Sequence, residues 1–155
     1  MNLQPGRILL ASHGTVGAGA ADTAALALAT PGVTLFHLTV VPDFWRGMMG
    51  DDWLNNVATR DAYCKHVESQ LAAEINRHQQ SLQTRVGAVG ARYSSRVVIG
   101  KPADCLLAFA TEIEPEIVVI GSPRPRGKPG LRSRMQMERL VSGLKAPLLV
   151  VPFPQ

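Results

Sequence analysis

The pattern of apolar positions changes period several times along the chain, and each change marks an element. Arg7-Ile-Leu-Leu-Ala-Ser12 is a short continuous apolar run that ends in His13-Gly14-Thr15. Such a run predicts a strand buried on both faces, followed by a turn. Residues 18–29 are mostly Ala and Leu and stop at Pro31-Gly32, which predicts a tightly packed helix. Val33–Val41, β-branched and apolar, reads as a second strand ended by Pro42. Residues 42–56, PDFWRGMMGDDWLNN, show no clear period and read as a long loop. From about Val57 to Gln83 the apolar positions Val67, Leu71 and Ile75 recur at i, i+4 and i+8, the mark of an amphipathic helix. Tyr93–Ile99 reads as a strand closed by Gly100. Pro102 suits the first turn of a helix running to about Glu112, and Pro115 blocks its continuation. Glu116–Ile120 is a strand, a basic loop follows, then a helix to Gly143, and Leu148–Val151 is a last strand.

Strict alternation of strand and helix with doubly apolar strands predicts a parallel sheet with helices on both faces. In such α/β folds ligands sit beyond the carboxyl ends of the strands, where the strand order switches. The ends of strands one, two and four are Ser12-His13-Gly14, Val41-Pro42 and Gly121-Ser122. Those are the places to look for chemistry.

Composition narrows the class. At 155 residues the chain is long enough for one domain, 1–155, with a real core. Hydrophobic residues at 46% and charged residues at 18% exclude a disordered chain. No apolar stretch approaches the roughly 20 residues that cross a bilayer. The apolar run near the N-terminus is too short for a signal peptide, so a cytoplasmic protein with no membrane partner is expected. Cys64 and Cys105 lack CxxC spacing and read as two buried free thiols. The four histidines, His13, His37, His66 and His78, form no metal-ligand pattern, and no metal is expected.

Net charge is +4, but it is local. Residues 122–145 hold seven basic side chains against Glu138 alone, a net +6 that leaves the rest of the chain at −2. A local basic patch points to an anionic ligand or an acidic partner, and a solvated face is the plain alternative. Aromatic residues are not interleaved with the basic ones, so nucleic acid is not the expected partner.

The stretches "ILLASHGT", "GVTLFHLTVVP", "VVIGKPADCLLAFATEIEPEIVVIGSP" and "APLLVVP" resemble, in order and spacing, the strands and turns of the universal stress proteins. The resemblance runs from about Arg7 to Pro152. It implies a three-layer α/β/α sandwich around a five-stranded parallel sheet in order 3-2-1-4-5, the Rossmann-like fold of the adenine-nucleotide alpha hydrolases. It also implies a regulatory role in stress response and a homodimer formed along the closing strand, Leu148–Val151. That strand is an apolar edge, uncharged between Lys145 and the C-terminus, and both its faces are expected to be covered.

Family members that bind ATP carry Gly-x-x-Gly, nine residues, then Gly-Ser or Gly-Thr after the fourth strand. Counting back from Pro147 places that motif on Gly121-Ser122-Pro123-Arg124, nine residues, then Arg134-Met135, so only the first glycine survives. A shifted frame finds Gly127 and Gly130, but nine residues later stand Leu140-Val141. Glycine loops work through backbone N–H groups that converge on phosphate oxygens. Pro123, Pro125 and Pro129 each remove one such donor. His13 stands where the family has an acidic residue. ATP binding in the family manner is therefore not expected. Guanidinium groups hold phosphate or carboxylate without backbone help, so Arg124 and Arg134 could replace the glycine loop. The candidate ligand site is Ser12, His13, Gly14, Val41, Gly121, Ser122, Arg124 and Arg134. Its candidate ligands are ATP, AMP or another anion.

The 43–56 loop gathers Phe44, Trp45 and Trp53, three of eight aromatics, beside Met48 and Met49. A lid, a surface for a protein partner (Phe44–Trp53), and packing back on the core all suit it. No nucleophile–base pair is evident. Ser12, Ser122 and His13 converge in the expected fold without an orienting acid, so no catalytic residue is assigned and no enzyme is expected.

Overall fold

The structure, a computed structural model, describes residues 6–12, 16–41, 57–122 and 135–154, without side chains at 16–18, 57–68 and 71. Its elements are β1 (Arg7–Ala11), α1 (Val16–Leu28), β2 (Thr34–Val41), α2 (Val57–Ala88), β3 (Arg92–Ile99), α3 (Pro102–Ile113), β4 (Ile117–Gly121), α4 (Met137–Gly143) and β5 (Leu148–Val151). The five strands form one parallel sheet in order β3-β2-β1-β4-β5. The expected three-layer sandwich is what the chain builds.

The doubly apolar strands are explained by two cores, one on each side of the sheet. Ile8, Leu10, Leu35 and Val119 point to the side of α1 and α2, where Ala21, Ala25, Leu82 and Val86 meet them. Leu9, Leu38, Val118 and Ile120 point the other way, onto Leu106 and Phe109 of α3 and Leu140 of α4. A strand that fills both cores has no solvent face to leave polar, hence the runs Ile8-Leu-Leu10 and Val118-Val-Ile120. The small side chains Ala21 and Ala25 let α1 lie close against β1 and β4, the reason for its Ala-rich sequence.

α2 runs five residues past the expected Gln83, through Thr84 and Gly87, because buried Leu82 and Val86 anchor its last turns. Pro102 opens α3, and Glu114 closes it in the left-handed region (φ 48°), with its N–H returned to the Ala110 carbonyl. Arg7 Nε donates to the Glu114 carbonyl at 3.0 Å, which ties the start of β1 to the end of α3. On edge strand β3, Arg96 lies 4.6 Å over the Phe109 ring and pairs with both Glu112 oxygens, which places a charge on that edge.

Two expectations are corrected. The faces of β5 are not both covered: Leu149 is 37% exposed, because an edge strand has a neighbour, β4, on one side only. Cys105 is a free thiol that is only partly buried, because it sits in the first turn of α3 beside Gly100. The side chain of Cys64 lies outside the described residues. Among the described residues no helix is long and apolar enough to cross a membrane.

Candidate functional site

The chain winds from β1 outward to β3, then crosses over to β4 and outward to β5, so the order switches between β1 and β4. Ala11 pairs with Ile120, so the next residues, Ser12 just past β1 and Gly121 at the end of β4, stand at the same end of the two adjacent strands. Ser122 N–H donates to the Val151 carbonyl at 2.8 Å, and Gly100 N–H to the Val41 carbonyl at 3.0 Å. Both bonds finish the ladder at the same carboxyl end of the sheet. Four candidate residues, Ser12, Val41, Gly121 and Ser122, thus gather at the crevice that α/β folds use for ligands. His13, Gly14, Arg124 and Arg134 lie outside the described residues, as does the Phe44–Trp53 loop.

Beneath this crevice, on the α1 and α2 side, lies a buried polar cluster drawn from five elements. His37 of β2 is fully buried. Its Nε2–H donates to the Ser12 carbonyl at 2.9 Å, and its Nδ1 accepts the Tyr93 hydroxyl at 2.7 Å. This assignment follows from the partners: a carbonyl only accepts, so the proton sits on Nε2 and leaves Nδ1 free for the phenol. Thr39 Oγ1 also donates to the Ser12 carbonyl, at 3.4 Å. His78 of α2 stands edge-on to the His37 ring, centroids 4.9 Å apart, and its Nε2 lies 2.7 Å from Asp22 Oδ2 and 3.4 Å from Ser12 Oγ.

Burial pushes the His37 imidazole down to about 4, with the neighbouring His78 acting the same way, while the Ser12 carbonyl and Asp22 oppose the shift. His37 is therefore a neutral ring near neutral pH. Burial also raises the Tyr93 phenol to about 12, against a hydrogen bond from Ser95 that favours the phenolate. Both states agree with Tyr93 as donor and His37 as acceptor.

Ser12, His78 and Asp22 have the residue types of a hydrolytic triad, but not its geometry. A triad uses opposite ring nitrogens, one for the acid and one for the nucleophile. Here both contacts fall on Nε2, whose single proton goes to Asp22. No lone pair remains there to take the Ser12 proton, and Ser12 is itself buried. The cluster fixes backbone; it does not activate a hydroxyl. Asp22 Oδ1 is buried without a partner among the described residues. No group of three or more metal-ligating side chains occurs among the described residues.

The sequence carried signals for this cluster that spacing rules pass over. His37 sits between Leu35 and Thr39 on a core-facing row of β2, and His78 between Ile75 and Leu82 on the inner stripe of α2. Asp22 lies between buried Ala21 and Ala25. Each is a polar group where the pattern calls for an apolar one.

Compared with known proteins, residues 6–152 match the model of the universal stress protein family. The chain belongs to the universal stress protein family. No curated protein matches it in sequence. Among solved structures, a universal stress family protein from Burkholderia pseudomallei is 24% identical, with 98% of each chain covered and a TM-score of 0.68. A universal stress protein family protein from Arabidopsis thaliana, solved with AMP bound, is 14% identical over 97% of this chain and 93% of its own, TM-score 0.61. A universal stress protein in complex with cAMP is 15% identical over 97% and 99%, TM-score 0.55. At these identities the likeness shows the shared fold, and the universal stress sheet order is the one described above.

Proposed function

We propose that this universal stress protein is a non-catalytic regulatory module that binds a small phosphate-bearing ligand at the carboxyl ends of β1, β2 and β4 and acts as a homodimer. The observation that carries the reading is the pairing of Ala11 with Ile120 at the switch in strand order, which sets Ser12 and Gly121 at the sheet's carboxyl end, directly before the basic stretch that follows Ser122. AMP and cAMP in two structures of the same fold support a nucleotide-sized anion. The same-nitrogen contacts of His78 support a role without hydrolysis. ATP binds weakly, because Pro123, Pro125 and Pro129 lack the N–H groups that a phosphate-cradling loop supplies. Homodimerisation is supported by the edge position of β5 and the 37% exposure of its Leu149.

Native mass spectrometry of the purified protein, followed by a thermal-shift screen with AMP, cAMP, ATP and inorganic phosphate, tests the ligand class. A retained nucleotide, or stabilisation by AMP or phosphate that fades with added salt, supports the proposal. No retained species and no shift with any of the four would refute it.

A further inference from the structure

At the end of β1 the Ser12 N–H still belongs to the sheet, donating to the Leu38 carbonyl at 3.2 Å. The Ser12 carbonyl is held differently. Its described partners are two side chains of β2, His37 Nε2 at 2.9 Å and Thr39 Oγ1 at 3.4 Å, both on the α1 and α2 side. The peptide plane that leaves β1 is therefore oriented by side chains at the point where the chain enters the candidate ligand site. The His37 ring is itself locked. Tyr93 donates to its far nitrogen at 2.7 Å, and the edge-on His78 ring, held by Asp22, closes one flank.

We propose that His37 is a positioning residue for the strand-end ligand site: through Nε2–H it sets the orientation of the Ser12 carbonyl, and Tyr93 sets the tautomer that makes this possible. The proposal rests on the strand-end ligand reading above. It follows from the rigidity of the peptide group. A carbonyl pinned by two donors fixes the plane of the whole peptide, because rotation about the C–N bond is closed. A binding site that uses backbone groups needs its first peptide held to within a fraction of an ångström, and supporting hydrogen bonds from locked side chains do this. Tyr93 matters because an imidazole with its proton on Nδ1 would turn a lone pair toward the Ser12 oxygen. With the phenol donating to Nδ1, only the Nε2–H form satisfies both neighbours. The charged and titratable groups around the ring among the described residues are Asp22 from α1, His78 from α2 and Tyr93 from β3, and each is already engaged with another member of the cluster.

The test compares His37→Leu, His37→Gln and Thr39→Val with the wild type, with AMP and inorganic phosphate as probes in calorimetry. Melting temperature and the histidine tautomer, read by long-range proton–nitrogen NMR, are measured alongside. Gln places an amide N–H near the position of Nε2, so His37→Gln keeps AMP affinity within about threefold, whereas His37→Leu loses about tenfold, the equivalent of one hydrogen bond. Thr39→Val, nearly isosteric, weakens AMP about twofold to threefold with little change in melting temperature, as suits the longer bond. In the wild type the NMR spectrum shows His37 protonated on Nε2. Should His37→Leu fail to fold, Thr39→Val together with the tautomer decides the matter. Wild type that binds AMP, with His37→Leu or Thr39→Val binding equally well, overturns the proposal alone, as does an Nδ1-protonated ring. Wild type that binds neither probe overturns the ligand reading itself.

Discussion

His78 on α2 and Asp22 on α1, 56 residues apart in the chain, meet at 2.7 Å beneath the crevice of the sheet. The Asp22 side chain is 4% exposed and that of His78 14%, so this contact is shielded from water on both sides. It joins the two helices of that layer where the Ala-rich surface of α1 offers little else to grip. Breaking a buried polar pair by removing one partner leaves the other desolvated and alone. His78→Ala is expected to lower stability by about 3 kcal/mol. The double variant His78→Ala/Asp22→Ala should lose clearly less than the sum of the two single variants, because the orphaned group is then gone. Urea unfolding of the four proteins measures the cycle, and additive losses would contradict a coupled pair.

The fold should weaken in mild acid through His37. Its folded value of about 4 lies below the ordinary 6.5, so between those limits the unfolded chain binds a proton that the folded chain refuses. Stability is therefore fully present above the ordinary value and is lost as pH falls toward the folded one. The full loss is about 3 kcal/mol. Denaturant midpoints measured from about pH 7 down to about pH 4.5 should fall in wild type and fall less in His37→Gln. Tyr93 acts at the other end: its phenol, raised to about 12, contributes stability that is lost as pH climbs through that value.

Most of the fold was legible because each element carries its own signal. Ile8-Leu-Leu10 and Val118-Val-Ile120 declare two-sided burial, Pro102 and Pro115 bracket α3, and alternation then leaves a parallel sheet. The strand-end half of the site followed from topology, which put Ser12 beside Gly121. The polar cluster was not legible, because its members lie on five elements and meet only after folding. A pattern along one helix places His78 on the inner face but does not say that Asp22 waits opposite. The long reach of α2 escaped for a similar reason: Thr84 and Gly87 are weak helix formers, and the burial of Val86 that overrides them is tertiary.

Gly100 is a position where only glycine fits. It holds φ +155° at the turn from β3 into α3, and an added Cβ would stand 2.9 Å from Cys105 Sγ. Gly100→Ala is expected to cost about 1–3 kcal/mol from backbone strain, with the contact adding to it. Cys105→Ala in the same background should recover only the contact part. Thermal unfolding of Gly100→Ala, Cys105→Ala and the double variant separates the two effects. A Gly100→Ala protein as stable as wild type would contradict the strained turn.

The exposed edge of β5 leads to an expectation about assembly. Two copies pairing antiparallel through Leu148–Val151 would satisfy the free edge groups under two-fold symmetry and cover Leu149. Light scattering at micromolar concentration should give twice the 16.7 kDa of one chain. Leu149→Lys, which puts a charge near its own symmetry mate, should shift the protein toward monomer. A clean 16.7 kDa species in wild type would contradict the pairing.

The strand ends are proposed to take an anion without a phosphate-cradling glycine loop. Calorimetric titration with AMP and ATP, at low and at raised salt, on wild type and on Arg124→Ala/Arg134→Ala, tests it most directly. Each loop N–H lost to proline removes a hydrogen bond to a charged oxygen worth about 1.5–3 kcal/mol. ATP is expected to bind no more tightly than AMP, both are expected to weaken as salt rises, and the double arginine variant is expected to lose most of the affinity. Micromolar ATP binding that survives both the salt and the loss of Arg124 and Arg134 would contradict it.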